Sequence, residues 1–225
     1  MSDEPRQTSD DGSAGARGRG FLPLDRFSAF SDGVFAIAIT LLVLEIAVPP
    51  EGAPLLPALR ELWPEFLGYY ISFAFIGGIW ITHSGVTKLM KRGDPAAYAL
   101  NLVLLLFVGL LPFTTTLMVT RLGGEDEGVA ALLYGVDLLL ASLVLSALIV
   151  YLAREPALLV DNIAEGTLGR VTRQRWASIG LNVVGIALAL VAPQVAVALY
   201  LVVSTMLLII PLLGLRRHRR ESRAA

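Results

Sequence analysis

The chain has 225 residues, 55% of them hydrophobic and 16% charged, with a mean hydropathy of +0.69, outside the range of ordinary soluble domains. It contains no cysteine, which excludes a disulfide framework, a thiolate nucleophile and a cysteine-ligated metal. Its formal net charge of -1 conceals an uneven distribution, because Arg and Lys avoid the interiors of the long apolar runs and crowd the segments between them, as topology-setting charges do.

Residues 1–22 are rich in Ser, Gly, Asp and Arg and hold no apolar stretch, which predicts a disordered cytoplasmic tail and not a signal peptide. A helix needs about 20 residues to cross the hydrocarbon core, and six stretches approach that length: 27–48, 66–88, 96–118, 129–151, 174–192 and 195–213. Only Ala192, Pro193 and Gln194 separate the last two, which predicts a tight helical hairpin. Residues 23–215 therefore read as an all-α domain of six transmembrane helices, followed by a basic cytoplasmic tail over 216–225. With the amino terminus inside, all of the 18 basic residues except Arg60 and Arg121 fall on the cytoplasmic side. An odd number of spans would destroy that asymmetry, so both termini are expected in the cytoplasm. The first and last three spans show no similarity to each other of the kind that marks inverted-repeat transporters.

The first span opens with Arg26, Phe27, Ser28, Ala29, Phe30, Ser31 and Asp32. A carboxylate in a transmembrane helix is costly unless it is paired. A rise of 1.5 Å per residue puts Asp32 about 8 Å inside the membrane, and His83 in the second span and Asn101 in the third reach the same depth. The three are expected to meet in one buried polar layer that fixes how their helices pack. A proton-sensitive or gating role for His83 beside Asp32 is compatible with that. Trp80 shares a face with His83 at i, i+3 and is assigned to the layer as a packing partner. Ser31 and Arg26 are assigned there too, the guanidinium within reach of Asp32 or an inner-loop carbonyl.

Arg26, Phe30, Ser31 and Asp32 spell R-x-x-x-F-S-D, which continues into GVFAIAITLLVLEI. With Trp80-Ile81-Thr82-His83 in the second span, and Asn101 to Phe107 followed by Leu111-Pro112-Phe113 in the third, this pattern closely resembles the transmembrane protein 175 family of potassium channels over roughly residues 26–118. The resemblance implies a prokaryotic-type unit of six helices that assembles as a homotetramer around one pore in the plasma membrane. It implies a channel permeable to potassium and to other monovalent cations, not an enzyme, with no cofactor beyond the permeant ions. It also implies that the first helix lines the pore and that bulky apolar side chains, not a carbonyl filter, form the constriction, narrowest at Ile37.

Helical geometry is consistent with that stripe: at 100° per residue, Gly33, Thr40, Leu41, Leu44 and Val48 all fall within about 60° of Ile37, whereas Asp32 lies about 140° away. Without the resemblance, Ile and Leu at this spacing would read as packing. Thr40 is the one hydroxyl on the stripe able to ligate a partly dehydrated cation, or else it bonds back to its own helix. Glu45, near the outer end, is a candidate for a ring at the external mouth, or for pairing with Arg60 or Arg121. A proton-coupled secondary transporter using Asp32 and His83 is the alternative from a different class.

Other signals carry less. Gly68-Tyr69-Tyr70 lies within a span, unlike the filter loop of potassium channels. Asp137 and Asn182 read as helix contacts. Pro112 should kink the third span, with Thr114, Thr115 and Thr116 able to satisfy freed carbonyls. The tail from Arg216 to Arg220 suits anionic lipid headgroups and is too short to suggest nucleic acid. His83 and His218 have no second ligand at metal spacing, so no metal site is expected.

Overall fold

The computed structural model describes residues 24–161 and 167–221. The tail expected over residues 1–22 lies outside them. Seven α-helices account for most of the described chain, with no β-strand among the described residues: α1 (Leu24–Leu44), α2 (Leu55–Glu61), α3 (Trp63–Thr87), α4 (Pro95–Thr120), α5 (Glu127–Arg154), α6 (Thr167–Ala189) and α7 (Pro193–Glu221). Pro residues at the first turns of α3 and α4 remove amides that would have no helical partner, and Asp94 caps α4 by accepting from the Ala97 amide at 2.9 Å.

Among the described residues, five helices are long and apolar enough to cross a membrane: α1, α3, α4, α5 and the Pro193–Ile210 part of α7. The fifth expected span, over 174–192, falls in α6, which is 23 residues long but is not among them, because Arg170, Arg173 and Arg175 occupy its first half. The first span is shorter at its outer end than the sequence suggests. It stops at Leu44 because Glu45 turns the chain toward Pro49 and Pro50, so Val48 lies beyond the helix and leaves the predicted stripe. In the other direction α7 continues as helix to Glu221, past the predicted boundary at 213.

Helices α3, α4, α5, α6 and α7 pack in a closed ring, each against the next and α7 back against α3, while α1 lies outside in the groove between α3 and α4. Small residues let this ring close, as is general for helices packed in lipid. A Cβ on Gly78 would stand 2.7 Å from the backbone of Leu207, so glycine is required where α3 meets α7. Gly135 on α5 and Gly185 on α6 together form the notch that accepts the fully buried ring of Tyr200. At one end of the bundle the α3–α4 and α5–α6 connections are joined by main-chain bonds, Lys91 N to Leu158 O and Val160 N to Leu89 O, both 2.8 Å. Lys91 and Asp161 pair beside them at 3.2 Å.

Pro112 sits inside α4. The expectation that threonines satisfy the carbonyl it frees needs correction. Thr115 donates to Leu111 O at 2.6 Å, and Thr116 Oγ1 lies 3.0 Å from Pro112 O, whereas the carbonyl deprived of its helical donor is that of Val108, four residues earlier.

Candidate functional site

Helix α1 buries one narrow stripe, Phe27, Ser31, Phe35, Ala38 and Leu42. These residues recur every three to four positions, the spacing of a face seated in a groove. Leu24, Ser28, Val34 and Ile39 are partly covered, and the rest of the helix is exposed. Phe30, Ile37, Leu41 and Leu44 are exposed, Ile37 at 60% and Leu44 at 75%. An apolar helix with so little of its surface used within the subunit has its main contacts outside it, whether with lipid, with another subunit or with a pore.

Thr40 lies on that uncovered side and donates its proton to Ile37 O at 2.9 Å. The bond to its own helix leaves both hydroxyl lone pairs turned outward and free to accept. Glu45 accepts from Thr116 Oγ1 at 2.8 Å, which ties the end of α1 to α4. Neither Arg60 nor Arg121 is its partner; Arg121 faces Asp126 at 3.5 Å.

The buried polar layer differs from the one expected. It runs through Ser31 on α1, Asn101 on α4 and His83 on α3, all at most 1% exposed. Ser31 Oγ gives its only proton to Phe27 O at 2.9 Å, so it must accept from Asn101 Nδ2, also at 2.9 Å. The Asn101 carbonyl oxygen consequently faces His83 Nε2 at 2.7 Å, which makes Nε2 the proton-bearing nitrogen. The rings of Phe27 and Phe35 flank the imidazole, their centroids 6.2 and 5.5 Å from its own, and close the layer to water.

Asp32 is absent from this layer, because one residue along a helix is a turn of 100°. With Ser31 pointing inward, Asp32 is carried to the uncovered side, where it accepts from Trp80 Nε1 at 2.8 Å. Asp32 and His83 therefore belong to separate contacts, and no hydrogen bond links them as a relay would need. Arg26 is exposed and has no hydrogen-bond or ion-pair partner among the described residues, so it joins neither contact.

Two further polar clusters were not assembled by the sequence reading, which took Asp137 only as a helix contact and Thr114 and Thr115 only as neighbours of Pro112. Ser72 meets Thr115 at 2.6 Å and Tyr134 at 2.9 Å, and beside them Thr114 donates to Asp137 at 2.8 Å. Scattered hydroxyls on three helices carry no periodic signal, so only their packing brings them together. The second is Arg175, counted with the inner loops but buried at 4% exposure on α6. It donates to Ser146 Oγ and to Ser142 O on α5, both at 3.0 Å. Gly68, Tyr69 and Tyr70 lie within α3.

Comparison with known proteins follows the same outline. A family model described as the endosomal/lysosomal potassium channel TMEM175 matches residues 26–112, the segment that holds α1, α3 and the first two thirds of α4. A potassium channel of Chamaesiphon minutus is 36% identical over 183 residues, covering 80% of this chain and 90% of its own length. A potassium channel of Streptomyces collinus is 40% identical over 156 residues, covering 68% and 75%. The crystal structure of a lysosomal potassium-selective channel TMEM175 homolog from Chamaesiphon minutus superposes with a TM-score of 0.74 at 33% identity, covering 84% of this chain and 97% of that one.

Proposed function

Because the chain belongs to the TMEM175 family of potassium channels, we propose that it is a multi-pass membrane channel through which potassium passes along the uncovered side of α1. The observation that carries this reading is the stripe of Ile37, Leu41 and Leu44, exposed on a helix that the rest of the subunit only cradles. Four copies with this stripe turned inward would enclose an axis ringed by branched apolar side chains. Such a ring controls permeation through its width and its wetting, since an ion passes only with its hydration water or with oxygens that replace it. Thr40, with lone pairs outward one turn from Ile37, is the oxygen within the constriction suited to that replacement.

In this reading α6 is the fifth of six spans and both termini are cytoplasmic, in agreement with the distribution of basic residues. The channel then sits in a prokaryotic plasma membrane. The basic run from Arg216 to Arg220 suits anionic headgroups. The buried Ser31–Asn101–His83 layer holds α1 at a fixed rotation, which is what keeps Ile37 on the axis. Asp32, bound to Trp80, lies beside the pore face as a contact between helices and not as an ion ligand.

Single-channel current and reversal potential in potassium and sodium gradients test the assignment. Ile37→Asn should wet the ring, raise conductance and weaken discrimination between the two cations. Ile37→Ala widens the ring but keeps it apolar and should do less. Leu42, buried on the opposite side of α1, is the packing control. Wild-type conductance and selectivity in Ile37→Asn would remove α1 from the pore.

A further inference from the structure

A guanidinium stays charged in proteins, and burying it without a counter-charge is among the costliest arrangements a fold can hold. Arg175 is 4% exposed, yet no carboxylate among the described residues lies within ion-pair distance of it. Two of its nitrogens donate to α5, to Ser146 Oγ and Ser142 O. Its third, Nη1, is buried with no hydrogen-bond partner.

The orphan is not alone. Ser142 Oγ on α5, both polar atoms of the Asn182 amide on α6 and Ser204 Oγ on α7 are likewise buried without partners, and Asn182 and Ser204 are fully buried. Arg175 and Asn182 are seven positions apart, two turns on one face of α6. Helices α5 and α6 run antiparallel with Gly128 against Ala189 and Gly135 against Ile186, a register that sets Ser142 between the levels of Arg175 and Asn182. Tyr200 packs beside Gly185, so Ser204, one turn further along α7, falls near the level of Asn182. Three adjacent helices thus direct unsatisfied polar atoms to one stretch of their shared interior, although buried polar groups in folded proteins are almost always partnered.

Donors outnumber acceptors in that set: the guanidinium N–H, the Asn182 NH2 and the two hydroxyls can all donate, Asn182 Oδ1 is the one atom that can only accept, and the one fixed charge is positive. We infer that the interior between α5, α6 and α7 is a binding site for a small monovalent anion of the halide class, held by Arg175 with Ser142, Asn182 and Ser204. It supplies the missing counter-charge in the half of the subunit that lies away from α1. The site does not depend on the pore assignment, because none of its residues lies on α1.

The test uses the purified full-length protein in detergent. Its thermal unfolding midpoint is measured in potassium gluconate with gluconate exchanged stepwise for chloride or bromide at constant ionic strength. A site that binds only the folded state should raise the midpoint saturably, by about 5 °C or more at a hundredfold excess over Kd. The rise should vanish in Arg175→Gln and persist in Arg173→Gln, whose side chain is exposed. Crystals grown in bromide should show anomalous density within hydrogen-bond distance of the Arg175 guanidinium. If Arg175→Gln does not fold, Ser142→Ala and Asn182→Leu should each weaken the halide response. No halide-dependent shift, an equal shift in Arg175→Gln, or no bromide at Arg175 would overturn the proposal.

Discussion

Replacing Asn101 by Leu removes the centre of the buried layer while keeping a side chain of similar volume. Two interhelical hydrogen bonds disappear, to Ser31 at 2.9 Å and to His83 at 2.7 Å. Ser31 remains satisfied, because its own proton goes to Phe27 O. His83 loses the acceptor for Nε2–H at a site 1% exposed. Hydrogen bonds between helices in lipid average about 0.6 kcal/mol each, while a buried donor left unpaired costs about 1–3 kcal/mol. The orphaned imidazole therefore dominates, and the expected destabilisation is about 2 kcal/mol. For a chain of this size that lowers the unfolding midpoint by roughly 4–8 °C. Thermal unfolding of the purified protein in one detergent, followed by tryptophan fluorescence, reads the shift. Ser31→Ala, which orphans only an amide N–H, should cost less. In the double variant the two losses should fall short of additivity, because both break the same Asn101–Ser31 bond. A midpoint within 1 °C of wild type for Asn101→Leu would refute the layer as a source of stability.

Three other outcomes follow from the geometry. Trp80→Phe removes the donor to Asp32 at a half-exposed site, where solvent screening limits the cost to about 1 kcal/mol or less; a shift of the unfolding midpoint above about 5 °C would mean that the pair is buried by assembly. Gly78→Val drives a side chain into the Leu207 backbone and should abolish folded protein on size-exclusion chromatography, whereas Gly85→Ala, which meets nothing within 4 Å, should elute as wild type. Glu45→Gln keeps a bond from Thr116 but removes a charge near the outer mouth, so potassium conductance should fall at low ionic strength and recover near 0.15 M salt, where the screening length is about 8 Å; equal conductance at all salt concentrations would place Glu45 away from the ion path.

Much of the helical plan was legible because lipid imposes a simple rule on composition: long apolar runs cross, and basic residues stay on one side. Helix α6 is the exception. Its first half looks like a loop because Arg170, Arg173 and Arg175 interrupt the hydropathy, yet Arg175 is satisfied in part by Ser142 and Ser146 across the helix pair, a contact that spans 29 residues or more and leaves no local trace. The depth argument set Asp32 beside His83 and Asn101 with Ser31 in the same layer, whereas only Ser31 bonds Asn101 and Asp32 turns to Trp80. Depth changes by only 1.5 Å between neighbours while orientation changes by 100°, so depth alone could not distinguish them. Orientation could have done so, since Ser31 shares a face with Phe27, Phe35, Ala38 and Leu42. Thr40 illustrates the opposite case: hydroxyl and carbonyl lie on one helix turn, so the back-bond was open to sequence reasoning from the start.

The closure of the ring through Gly78 and Leu207 bears on how the protein is made. These partners are separated by most of the chain, and α7 leaves the ribosome after α3, α4, α5 and α6. The ring therefore cannot close before α7 is made, and until then the face of α3 that holds Gly78 lacks its partner. Contacts at such separation form late, and a half-built arc exposes surfaces that a neighbouring nascent copy can occupy instead. Truncation before α7 should accordingly leave inserted but unsealed subunits, so that membrane insertion and maturation are distinct events in the biogenesis of this protein.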